Sequence, residues 1–101
     1  MFGKIAEAQK KAEEIKQRLA TISVTGKAAN GSVTVICDGN KKVLSVQIAP
    51  ELCSAEQQPQ LQQFVLEATN DALQQADQVS SAEMKSLMSS MLPGLGGLFG
   101  K

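Results

Sequence analysis

Along the first segment, apolar residues recur with helical spacing. Ile5, Ala8, Ala12, Ile15, Leu19 and Ile22 are separated by steps of 3, 4, 3, 4 and 3. A heptad stripe of this kind predicts a helix that packs against another helix. The β-branched run Thr21-Ile22-Ser23-Val24-Thr25 favours extended chain, so the helix should yield to a strand near residue 21. Three strands are expected, over about Ile22–Lys27, Ser32–Asp38 and Lys42–Ile48. In the second, Val33, Val35 and Cys37 alternate with Thr34 and Ile36. In the third, Leu44, Val46 and Ile48 alternate with Val43, Ser45 and Gln47. Asn30-Gly31 supplies the positive φ angles of a tight hairpin, and Asp38-Gly39-Asn40 signals a second turn. The short connections predict an antiparallel meander with one apolar face.

Pro50 ends the third strand and opens a short helical turn. Ser54-Ala55-Glu56-Gln57 has the form of a capping box, and Pro59 suits the first turn of the next helix. From near Gln60, the residues Leu61, Phe64, Val65, Ala68, Ala72, Ala76 and Val79 hold one helical face. The phase slips at Ser80-Ser81-Ala82-Glu83. No Pro or Gly intervenes, so one continuous or slightly kinked helix to about Ser90 is expected. The fold class is therefore α+β: a long N-terminal helix, a three-stranded antiparallel meander, a short helical turn and a long C-terminal helix. Residues 1–91 read as one domain, and residues 92–101 as a Gly-rich apolar tail.

Length adds a constraint. A helix over residues 60–90 is roughly 45 Å long, whereas a compact domain of this size is about 30 Å across. Part of that helix must project from the sheet. Leu87, Met88 and Met91 then need cover, either from the first helix or from a second copy, and a closed two-fold pair is the commonest arrangement.

Composition excludes several functions. The chain has no histidine, which removes the commonest general base and metal ligand. Gly94-Leu95-Gly96-Gly97 follows a helix and opens none, so it is not a phosphate loop. Catalysis, a metal site and a cofactor are not expected. Cys37 and Cys53 form no redox or metal motif and read as reduced thiols. No apolar run is long enough to span a membrane, and the opening residues do not form a signal peptide, so a cytoplasmic location is the expectation.

Ten basic and ten acidic residues give a net charge of zero. Their distribution is uneven. Residues 1–20 carry +2, residues 21–50 carry +2, residues 51–80 carry −5 and residues 81–101 carry +1. Lys4, Lys11 and Arg18 fall seven apart on one flank of the first helix. That stripe suits phosphate contact. It also suits a solvated flank, because Glu7 precedes Lys11, and Glu14 precedes Arg18, at the spacing of favourable helix pairs. Lys41 and Lys42 border a turn, where lysines protect strand edges.

The order of pieces resembles the YbaB/EbfC family of bacterial nucleoid-associated proteins. The resemblance is carried by Met1-Phe2-Gly3 and the Lys/Gln/Glu-rich first helix, by Val24-Thr25-Gly26 and by Gly31-Ser32-Val33-Thr34-Val35. It continues through Val43-Leu44-Ser45-Val46-Gln47-Ile48, Pro50-Glu51-Leu52, Asn70-Asp71-Ala72-Leu73 and Leu92-Pro93-Gly94-Leu95. It implies a tweezer-like homodimer with central sheets and projecting helical arms. It also implies binding to double-stranded DNA in the nucleoid, with effects on chromosome organisation or gene expression. Two positions differ from the family pattern. Gln74-Gln75 follow the Asn-Asp-Ala stretch, where members often carry Lys or Arg, and Ala49 precedes Pro50 where Asp is frequent. If the arms hold a duplex, Lys4, Lys10, Lys11 and Lys85 are the expected phosphate contacts, positioning without reading bases. The alternative is a dimeric protein-interaction module that uses the Met-rich helix end or the tail and does not touch DNA.

Overall fold

The computed structural model describes residues 2–91. Met1 and the expected apolar tail, residues 92–101, lie outside the described residues, as do the side chains of Phe2 and Met91. Helix α1 spans Phe2–Leu19. Strands β1 (Ser23–Ala28), β2 (Val33–Asp38) and β3 (Val43–Ile48) follow, and helix α2 covers Gln58–Met91. Both strand pairs are antiparallel and the sheet order is β1-β2-β3. This is the expected α+β meander.

Both turns fall where the sequence places them, and their backbones add detail. Between β1 and β2, positive φ begins one residue early, with Ala29 at 54°, Asn30 at 57° and Gly31 at 88°. Ala29 accepts a conformation costing about 1–2 kcal/mol for a residue with a Cβ. Between β2 and β3, positive φ falls on Lys41, at 68°, and not on Gly39. Gly39 is required by proximity: a Cβ there would stand 2.9 Å from the Leu19 carbonyl oxygen at the end of α1. The buried Asp38 carboxylate organises this turn by accepting from the Asn40 and Lys42 amides at 2.9 and 3.0 Å.

Strand β3 carries a correction. Ile36 pairs with Ser45, but Cys37 pairs with Val43, so Leu44 is the extra residue of a bulge. Opposed residues share a face, which puts Val43 beside Cys37 on the face toward α2. Simple alternation had assigned Val43 to the other face.

The core lies between α2 and the first two strands. Val33, Val35 and Cys37 are fully buried against Ala68, Ala72 and Ala76. The four-residue spacing of those alanines makes a smooth stripe on α2, and Gly26 lets the helix backbone approach β1. A Cβ on Gly26 would overlap the Ala68 carbonyl oxygen and the Ala72 amide. At the helix start, Ser54 Oγ accepts from the Gln57 amide at 3.3 Å, which forms half of the expected capping box. Pro59 falls in the first turn of α2, as expected. The helix runs unbroken through Ser80 for 34 residues, about 50 Å at 1.5 Å per residue.

This helix stretches the molecule to 62 × 29 × 16 Å. Its distal half leaves the sheet and runs beside α1, forming a two-helix arm. Only Ile15 and Leu19 of the α1 stripe are buried. Ile5 and Ala12 are exposed, so the stripe is only partly partnered.

Candidate nucleic-acid interface

The arm is where the basic side chains gather. The turn after β2 anchors its root. Gly39 N–H donates to the Leu19 carbonyl at 2.9 Å, and Asn40 Nδ2 donates to the Lys16 carbonyl at 2.9 Å. Lys41 Nζ pairs with Asp77 of α2 at 2.7 Å. Further out, Arg18 bridges to Glu83 at 3.7 Å. Arg18 thus reaches across to α2 and does not form the expected pair with Glu14. No Glu7–Lys11 ion pair is present either. Among the described residues, Arg18 and Lys41 are therefore committed to α2, and neither is among the four expected DNA contacts.

Lys4, Lys10, Lys11 and Lys85 lie on the arm, the first three on α1 and the last on α2. Among the described residues, none of the four is held in an ion pair. Lys4, Lys10 and Lys85 are exposed and Lys11 is half-buried. Lys4 and Lys11 share one flank, about 10 Å apart along the axis, while Lys10 points about 100° away from Lys11. Lys11 alone of the four lines the cleft between the helices, together with Glu14, Ile15, Arg18, Glu83, Ser86, Leu87 and Ser90. That cleft, about 270 Å³, admits an ion or water but not a duplex. Any duplex would have to lie along the outside of the arm or between the arms of two copies. Ser86 and Ser90 were missed by the sequence reading. Their i, i+4 spacing puts them on one face of α2, but nearness to Lys11 arises only when the chain folds back.

Gln74 is exposed on α2, while Gln75 turns inward, donating to the Thr25 carbonyl at 2.7 Å. Gln75 therefore serves the sheet. Cys37 is buried and its thiol donates to the Ala72 carbonyl at 3.4 Å. Burial, reinforced by the neighbouring Asp38 charge, pushes this thiol above its ordinary value. Both cysteines are free, and Cys53 is exposed.

Among the described residues no cluster of potential metal ligands occurs, and no helix is long and apolar enough to cross a membrane. The distal arm also exposes Ile5, Met84 and Met88.

Known proteins share part of this sequence and this fold. The chain is 40% identical over 80 residues to a nucleoid-associated protein of Bacillus cereus, covering 78% of this chain and 73% of the relative. It is 42% identical over 79 residues to a nucleoid-associated protein of a Geobacillus species, covering 77% and 73%. The fold is shared with the crystal structure of an uncharacterized protein from Helicobacter pylori. The TM-score is 0.64 at 22% identity, over 87% of this chain and 98% of that one. A model of the YbaB/EbfC DNA-binding family matches residues 1–91, and the chain belongs to that family.

Proposed function

We propose that this chain is a DNA-binding, nucleoid-associated protein of the bacterial cytoplasm that acts as a homodimer and contributes to chromosome organisation or gene regulation. Two arms, one from each copy, hold a duplex through phosphate contacts from Lys4, Lys10, Lys11 and Lys85. The observation that carries this reading is the two-helix arm, which projects from the sheet with these four lysines outside any ion pair among the described residues. It needs no metal, cofactor or catalytic group.

The dimer is supported by β3. Val46 is 47% exposed and Ile48 36% exposed, although both oppose buried residues of β2. Helix α2 covers β1 and β2 and leaves this part of the apolar face open. Val43, exposed opposite the buried Cys37, continues the patch. Contiguous apolar surface of this kind marks an interaction site, and a second copy covers it with two-fold symmetry.

With few free bases and a net charge of zero, binding should be weak and should fall steeply with salt. Fluorescence anisotropy with a labelled duplex across a salt series tests it. Lys4→Glu, Lys10→Glu and Lys11→Glu together should remove binding, and Lys85→Glu should weaken it. Absence of binding by the unmodified chain at low salt contradicts DNA recognition and favours the second reading. In that reading the exposed Ile5, Met84 and Met88 make the arm a docking surface for a protein partner.

A further inference from the structure

A three-stranded sheet has two outer strands, and this molecule treats them differently. On β1, two side chains of α2 occupy two of the outward main-chain groups, at the middle of the strand. The Lys27 amide donates to Asp71 Oδ2 at 3.1 Å, and Gln75 Nε2 donates to the Thr25 carbonyl at 2.7 Å. Gln75 Nε2 also donates to Asp71 Oδ1 at 3.2 Å, which joins the two into one bridge. The spacing matches: residues two apart on a strand and four apart on a helix both advance about 6–7 Å. One acceptor for an N–H and one donor for a C=O are what a neighbouring strand would supply. On β3, among the described residues, no hydrogen bond reaches the outer edge, and the side chains there are largely apolar and exposed.

Fastening α2 does not require this bridge. The helix is already seated by Ala68, Ala72 and Ala76 against Val33, Val35 and Cys37. Unpaired strand edges template association with further chains. We propose that Asp71 and Gln75 form an edge lock: they close β1 and so confine self-association to the β3 side, where a second copy completes a closed pair. The occupant of β3 is a second copy, because the open edge borders its own uncovered apolar side chains, Val43, Val46 and Ile48, which oppose the buried Cys37, Val35 and Val33 and which a two-fold partner covers with the same residues. This inference rests on the dimer reading above and adds what limits it.

The test is the weight-average mass, by light scattering and sedimentation, of the full chain over a concentration series. Asp71→Ala with Gln75→Ala should grow beyond the mass of the unmodified chain as concentration rises. Gln75→Met, which keeps length but loses the donor, should do the same more weakly. Asp71→Asn retains an acceptor for Lys27 and should stay at the unmodified mass. Folded variants that keep the unmodified mass at every concentration overturn the lock. So does failure of both Gln75→Met and the double variant to fold, since the bridge would then be a requirement of the fold. An unmodified chain that sediments as a monomer contradicts the β3 pair, while growth of the variants would still support the lock.

Discussion

Of the described glycines, Gly26 and Gly39 are the two with neighbours too close for a Cβ, and neither needs its glycine for a positive φ. At Gly26 the neighbours are backbone atoms of α2, which cannot turn aside. Gly26→Ala should therefore lift the helix from the sheet and destabilise the fold by about 3 kcal/mol or more, the upper end of overpacking, as read by urea denaturation. Gly39→Ala meets Leu19 side-chain atoms as well as its carbonyl. It should cost about 1–3 kcal/mol and loosen the root of the arm. The thiols divide as sharply. With a thiol-specific disulfide reagent at neutral pH, Cys53 should react at once and Cys37 only after unfolding. Because the folded-state value of Cys37 is raised, its contribution is complete below the unfolded value of about 9.0 and is lost as pH climbs through the folded one. Alkaline titration of stability should show that loss, and Cys37→Ala should remove the dependence while lowering stability at every pH.

On the scale of elements, α1 is the least secure. It touches α2 through Ile15 and Leu19, plus the Arg18–Glu83 bridge. Ile15→Ala or Leu19→Ala should cost about 2–5 kcal/mol, whereas Ile5→Ala, at an exposed position, should leave the stability of the isolated chain nearly unchanged. Thermal melts by circular dichroism would separate the two. The same contrast shows what was legible in the sequence. Period identified both helices and all three strands, because alternation and heptad spacing are local consequences of which side is buried. It could not say how much of each stripe finds a partner, which depends on where α2 comes to lie. The bulge at Leu44 escaped for a related reason: strict alternation assumes an unbroken ladder, and one inserted residue moved Val43 to the other face. Arg18 escaped too. Its local partner Glu14 was visible by spacing, but the distant Glu83 becomes a neighbour only after the chain folds back. Asp71 and Gln75 were legible only as pieces of a resemblance, since their partners on β1 lie 44 and 50 residues away.

At the scale of the whole molecule, shape and charge have to be considered together. A radius of gyration of 18.6 Å, against about 13 Å for a compact chain of this length, leaves a projecting arm with little of its own to grip. Among the described residues one arm offers five lysines outside ion pairs, Lys16 besides the four proposed contacts, and α2 carries acids such as Glu67 and Asp77 on its exposed surface. Single-arm contact should therefore be feeble. Pairing two copies changes this without any new contact to DNA, because the second arm then binds at high effective concentration. A charge placed in the β3 patch, far from every proposed phosphate contact, should thus act on DNA binding through assembly alone. Val46→Glu is the suitable change: the site is 47% exposed in the single chain, so the fold should tolerate it, while a paired surface should not. Sedimentation should show a monomer with an unaltered circular dichroism spectrum. Duplex affinity should fall by at least about 100-fold, the lower end of the range for avidity, and the slope of log affinity against log salt should fall to about half as the number of phosphates neutralised halves. A monomeric Val46→Glu chain that kept the affinity and salt slope of the unmodified protein would mean that one arm suffices, and the paired-arm mechanism would have to be abandoned.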